Sequence, residues 1–97
     1  MRHNIENETL TLFFEGEINS FSSEKVEKEI EEIMAKKGFN AIRIDMRDLV
    51  YISSAGLRII VRIKQQYDDT VLTKVPASVN DVFEMVGFQN LMKIEKK

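Results

Sequence analysis

The sequence predicts an α/β domain built on a mixed, largely parallel sheet. Extended-type apolar runs alternate along the chain with helical stretches of roughly 10–15 residues. The separations across the two middle helices are long enough for right-handed crossovers. At 97 residues, without a repeat or a low-complexity segment, the chain suits one domain spanning 1–97.

Taken in order, Thr9-Leu10-Thr11-Leu12-Phe13-Phe14 alternates polar and apolar before becoming continuously apolar, so a strand or hairpin is expected over Ile5–Glu15. Glu6-Asn7-Glu8 is the candidate turn, and Gly16 and Asn19-Ser20 punctuate the chain beyond it. Val26, Ile30, Ile33 and Met34 recur at helical spacing, opposite Glu27, Lys28, Glu31 and Glu32. Ser20, Ser22 and Ser23 are candidate caps for that helix, and Lys36-Lys37-Gly38 closes it. Ala41–Met46 reads as a short buried strand, and Leu49–Ile52 as a second apolar run leading into Ser53-Ser54-Ala55-Gly56. Leu57, Ile60, Val61, Ile63, Lys64 and Tyr67 then lie along a helix, followed by a brief strand at Val71-Leu72-Thr73. Near Pro76 a third helix is expected, with Ser78 as its cap, a stripe of Val79, Val82, Phe83 and Val86, and Gly87 just past its end. A helical turn over Phe88–Met92 and an edge strand at Lys93-Ile94-Glu95 complete the chain.

Composition narrows the function. Hydrophobic residues make up 43% and charged residues 31%, which permits one core and is too apolar for disorder. The absence of cysteine excludes disulfides and thiolate metal sites and fits a reducing compartment. Met1-Arg2-His3-Asn4 leads into no apolar run, so no signal peptide is expected. The stretch Leu57–Ile63 is interrupted by Arg58 and Arg62, so no membrane-spanning helix is expected either. A cytoplasmic protein is the resulting expectation. The net charge of −2, with both signs interleaved, argues against a nucleic-acid or anionic-membrane partner. The one histidine, His3, sits at the terminus, which disfavours a Ser–His–Asp triad. Glycine-rich phosphate loops are missing, and Glu27, Glu29, Glu31 and Glu32 read as a solvated helix face. Nothing here calls for a metal or cofactor.

The segment Asp45-Met46-Arg47-Asp48-Leu49-Val50-Tyr51-Ile52-Ser53-Ser54-Ala55-Gly56-Leu57 brings two hydroxyls to a strand–helix junction. One reading is structural: Ser53 or Ser54 caps the helix and satisfies its orphan N–H groups. The other is regulatory: a helix start tolerates a phosphate, which changes the docking face and leaves the scaffold intact. Arg58 and Arg62, four residues apart, are either solvated or border such a face and attract an acidic partner. Phe21 is either an exposed contact or a hydrophobic staple.

This segment resembles the signature of STAS domains, the fold of bacterial anti-sigma-factor antagonists. Phe14-Glu15-Gly16-Glu17-Ile18-Asn19 resembles the family's strand end and loop beside the phosphoacceptor. Val82-Phe83-Glu84-Met85-Val86-Gly87-Phe88 resembles its penultimate helix, so the likeness covers nearly the whole chain. The resemblance implies a four- to five-stranded mixed sheet with about four helices packed mainly on one side. It implies a phosphorylatable serine, placed at Ser54 by alignment on Gly56-Leu57, and a docking face of Asn19, Ser20, Phe21, Ser53, Ser54, Ala55, Gly56 and Arg58. Asp45 is the acidic group implied to support the phosphosite. The implied partners are an anti-sigma factor that is also a serine kinase and a PP2C-type phosphatase, acting on a monomer that is not an enzyme. Family members carry Asp where this chain has Ser53, and commonly where it has Asn19, so negative charge is missing around Ser54. A constitutive scaffold that binds a protein or small ligand without phosphorylation is the alternative function.

Overall fold

The chain opens on a hairpin. Strands β1 (His3–Glu6) and β2 (Thr9–Ile18) pair antiparallel from His3↔Leu12 to Glu6↔Thr9. The two residues between them, Asn7 and Glu8, take φ of 51° and 62°. Positive φ at both central positions is the tight turn whose twist matches the flanking strands. In the computed structural model, which describes residues 1–97, there follow α1 (Ser23–Met34), β3 (Ala41–Ile52), α2 (Ser54–Gln66), β4 (Thr70–Val75), α3 (Ala77–Val86) and β5 (Lys93–Lys96). A single 3₁₀ turn at Phe88–Asn90 joins α3 to β5. The helices are thus three plus that turn, where about four were expected.

The sheet has five strands in the order β1-β2-β3-β4-β5, with all neighbours after the hairpin parallel. Because spatial order follows chain order, right-handed crossovers carry α1, α2 and α3 to the same face of the sheet. The register confirms which face that is. Leu10 pairs with Ile42, Leu12 with Ile44, Ile44 with Leu72, and Leu72 with Ile94. Paired residues point to one side; apart from Ile94, which is half-buried against its edge, these pack with Ile30, Ile33, Ile59, Ile60, Ile63, Val79 and Phe83 in one core of 21 buried residues. The alternate positions, among them Thr11, Arg43 and Thr73, face the uncovered side.

Four local expectations are corrected. The two short strands expected at Ala41–Met46 and Leu49–Ile52 are one 12-residue strand. Arg47 and Asp48, the polar interruption, sit where β3 has left β4 and both side chains reach solvent. Gly16 does not end β2: at φ +69° it lies between two register shifts at which β3 carries an extra residue, and β2 runs on to Ile18. None of Ser20, Ser22 and Ser23 caps α1 through its side chain in the usual way; Ser22 holds the cap position without that bond. Ser78 is exposed inside the first turn of α3, and Pro76 occupies the cap position. Gly87, at φ 78°, ends α3 in the left-handed conformation as expected.

Phe83 is fully buried and stacks on Phe88 at 5.2 Å between ring centroids. Phe83→Ala is expected to lower stability by about 3–5 kcal/mol, through lost transfer energy and the cavity left behind. Urea unfolding followed by circular dichroism reads this directly.

Candidate functional site

Beyond Asp45, β3 no longer pairs with β4 and continues alongside β2 alone, through Glu15↔Asp48 and Gly16↔Leu49 to Ile18↔Ile52. The two strands therefore finish together, and the loops that follow them meet. The Ser53 amide donates to the Ile18 carbonyl at 2.8 Å, fixing this junction.

On the β2 side, Asn19 organises the loop. Its Oδ1 accepts from the amides of Phe21 at 2.9 Å and Ser22 at 3.0 Å, and its carbonyl accepts from the Ser23 amide at 2.9 Å. The Ser22 hydroxyl returns the contact, accepting from the Asn19 amide at 3.0 Å and donating to the Glu17 carbonyl at 3.3 Å. The amides of Phe21, Ser22 and Ser23, which lead into α1, are satisfied by this asparagine turn. Ser20 and Phe21 are projected outward, and Phe21 is 95% exposed. That exposure removes the staple reading, since the ring rests on nothing.

On the β3 side, Ser53 is extended (φ −92°, ψ 175°) and its Oγ accepts from the Gly56 amide at 3.4 Å, so Ser53 is the cap of α2. Ser54 is the first helical residue. It is exposed, its Oγ makes no hydrogen bond within the chain, and the amides of Ser54 and Ala55 are likewise unengaged. Of the two hydroxyls at this junction, one is used by the fold and one is free.

Gly56 is buried for a steric reason and not for its φ. A β-carbon there would lie 2.5 Å from Ile52 Cγ1 and 3.0 Å from Ile18 Cγ2. The first turn of α2 is thus pressed against the last residues of both strands. Between α1 and α2 a groove of about 320 Å³ opens, lined by Ser23, Glu24, Glu27, Ala55, Arg58, Ile59 and Arg62. Arg62 is ion-paired with Glu27 across it, whereas Arg58 is exposed and has no ion-pair partner.

The structure brings Asn19, Ser20, Phe21, Ser53, Ser54, Ala55, Gly56 and Arg58 to this one end of the sheet. Asp45 is elsewhere. It lies seven residues before the end of β3, roughly 20 Å along an extended strand, and no hydrogen bond or ion pair joins it to Ser53 or Ser54. Its carboxylate is 5% exposed, 2.7 Å from Arg47 Nη2 and 3.9 Å from Lys74 Nζ, and it also accepts from the Arg47 amide at 3.1 Å. Burial pushes the Asp45 carboxyl up, but the Arg47 side-chain and backbone bonds and the charges of Arg47 and Lys74 outweigh it, holding the carboxyl below its ordinary value. Reading the sequence residue by residue missed Arg47 and Lys74 as its partners, Ser22 as the brace of the loop, and Ile18 and Ile52 as the wall behind Gly56. A signal existed for Arg47, which follows Asp45 by two positions on a strand and so shares its face.

A family model described as the STAS domain matches residues 2–97. The chain is 32% identical over 84 residues to a Bordetella bronchiseptica protein named anti-sigma factor antagonist BtrV, covering 82% of this chain and 72% of the relative. Its fold is similar to that of an anti-sigma factor antagonist of Thermotoga maritima, with TM-score 0.86, 21% identity, and coverage of 99% of this chain and 86% of that one. It is also similar to the Bacillus cell-fate determinant SpoIIAA, solved in its phosphorylated form, with TM-score 0.65, 17% identity, and coverage of 96% and 90%.

Two outcomes follow from this geometry. Gly56→Ala is expected to cost about 1–3 kcal/mol, because Ile52 and Ile18 must give way or α2 must shift; thermal and urea unfolding test it. Asp45 has a depressed folded-state pKa, so its stabilisation is present above the unfolded pKa, near 4, and is lost as pH falls through the folded value. Asp45→Asn should therefore be less stable than wild type at pH 7 and should flatten the fall in stability below about pH 4. Equal pH–stability curves for the two proteins would contradict the ion cluster described.

Proposed function

The chain belongs to the STAS domain family, and from that membership we propose that it is an anti-sigma factor antagonist working as a phosphorylation-controlled binding module. The observation that carries this reading is the division of labour at the start of α2. Ser53 holds the cap, while Ser54 next to it presents a free, exposed hydroxyl flanked by the projecting loop Asn19–Phe21. A phosphate on Ser54 displaces no internal hydrogen bond and meets two unengaged amides, so the fold has no reason to yield. Its charge of about −1.5 to −2 at neutral pH falls instead on the surface that includes Phe21. The partner in this reading is an anti-sigma factor with serine kinase activity. It binds the unphosphorylated chain, phosphorylates Ser54 and releases it, and a PP2C-type phosphatase resets the site. The chain is then a substrate and not a catalyst, acting as a cytoplasmic monomer. The naming of the Bordetella relative as an antagonist and the existence of SpoIIAA in a phosphorylated form support this assignment.

One observation favours a second reading. Asn19 and Ser53 both act as neutral hydrogen-bond acceptors for backbone amides, so this chain lacks the two carboxylates a kinase would find at those positions in other members. A constitutive scaffold, docking through Phe21 and the same loops without phosphorylation, follows from it.

The two are separated by binding and mass measurements with an anti-sigma factor of the serine-kinase type from the same organism. Ser54→Ala, which removes no cap bond, is expected to change stability by less than about 0.5 kcal/mol and to bind as wild type does. Ser54→Asp should fold equally well and bind about tenfold or more weakly by calorimetry. After incubation with kinase and ATP, fragmentation of the tryptic peptide Asp48–Arg58 should place the phosphate on Ser54 and not on Ser53. Unmodified peptide, or an Asp variant that binds as tightly as wild type, would transfer the assignment to the constitutive scaffold.

A further inference from the structure

We propose that Arg58 is an intramolecular clamp for the phosphate on Ser54, an inference that rests on the phosphorylation of Ser54 proposed above. Ser54 opens α2 and Arg58 follows it by four residues on the same helix. Residues so spaced are neighbours on one helix face, with about 5–6 Å between their β-carbons. Long side chains on a helix lean toward its N-terminus, so the surface Arg58 covers is the turn that begins at Ser54. The guanidinium is also available. Arg62, one turn further, is committed to Glu27, whereas Arg58 is exposed and has no ion-pair partner.

The charges facing Arg58 are few and can be named. From α1 they are Glu24 and Glu27, which line the same groove; from α2 there is only Arg62. Glu27 is occupied by Arg62, so Glu24 is the one competitor for Arg58 in the unphosphorylated chain. A phosphoserine outbids a lone carboxylate, because it carries nearly twice the charge and three acceptor oxygens in the geometry a guanidinium forks onto. Arg58 therefore turns from the groove to the phosphate when Ser54 is modified. One covalent event then makes two changes to the docking face: an anion is added at Ser54, and a cation is withdrawn from the groove beside it.

The clamp is tested without any partner, on protein carrying phosphoserine at position 54 by direct translational incorporation. The second ionisation of the phosphate, near pH 6 in a free phosphoserine, is followed by phosphorus NMR at low ionic strength. Replacing the exposed Arg58 leaves the core untouched, and circular dichroism of each protein verifies the fold. Arg58→Ala is expected to raise that ionisation by about 0.3 unit or more relative to wild type. Arg58→Lys should fall between the two, since a point charge replaces a bidentate fork. Glu24→Gln should lower the ionisation further by removing the competitor. Superimposable titrations of wild type and Arg58→Ala would overturn the clamp. Failure of the switch reading appears separately, as phosphorylated protein that still binds the kinase as tightly as unmodified protein, whatever the NMR titration shows.

Discussion

The close approach of Gly56 to Ile18 and Ile52 is the contact on which the site depends. Those two isoleucines are the last residues of the parallel strands β2 and β3, and they pair with each other. With only a hydrogen in place of a β-carbon, the first turn of α2 sits directly on them. That contact, together with the bond from the Ser53 amide to the Ile18 carbonyl, fixes three things at once: the end of β3, the start of α2 and the take-off of the Asn19 loop. Close-packed interiors do not deform continuously, so the backbone segments that carry Ser54 and Phe21 are held in place although both side chains are exposed. Two residues that make almost no contacts of their own are thereby positioned by residues that make many.

The fold carries this junction well away from its charged interior. Asp45 lies where β3 parts from β4, with Arg47 on its own strand and Lys74 on the next. Lys74 has φ of 52°, inside the stretch where β4 slips register against β5. A buried carboxylate bridged by both strands pins the place where the sheet narrows to two strands. From there β2 and β3 run on together, and the bulges around Gly16 give that extension its bend. Asp45 thus bears on the course of β3 and makes no contact with Ser53 or Ser54. Its charge is neutralised by Arg47 and Lys74, and it is not directed at Ser54.

Much of this was legible in the sequence, for identifiable reasons. Element type and order follow from periodicity, which is strong in Val26–Met34 and in Thr9–Phe14. The Gly87 stop was readable because a left-handed residue after an apolar stripe has few other uses. Alignment on Gly56-Leu57 placed Ser54 at the helix start, but not which of the two serines the helix would use as its cap. That depends on Ser53 being held extended by Ile18, a contact 35 residues away in the chain. The same non-locality hid the cap of α1. Three serines stood near its start, yet Asn19 satisfies the loop amides because the end of β2 already fixes Asn19 in place. Asp48 and Arg47 resembled a break between strands, because a strand that loses its neighbour halfway carries polar residues without ending. Phe21 could not be assigned from sequence either, since a staple and an exposed contact share the same local pattern and differ only in what packs against the ring.

The energetics also say where a phosphate on Ser54 would act. In the free chain it is solvated, and an ion pair with Arg58 at the surface is worth only about 0–1 kcal/mol. A domain so modified would therefore be neither much stabilised nor destabilised, and its core would be the same in both states. Against a partner covering Phe21 and the groove the balance changes. Removing a dianion from water costs several kcal/mol unless the opposing surface supplies matched donors. One exposed arginine, once turned onto the phosphate, neutralises only part of that charge and no longer offers itself to an acidic group across the interface. The penalty thus falls almost wholly on the bound state, which is the condition for a modification to control association without touching the fold.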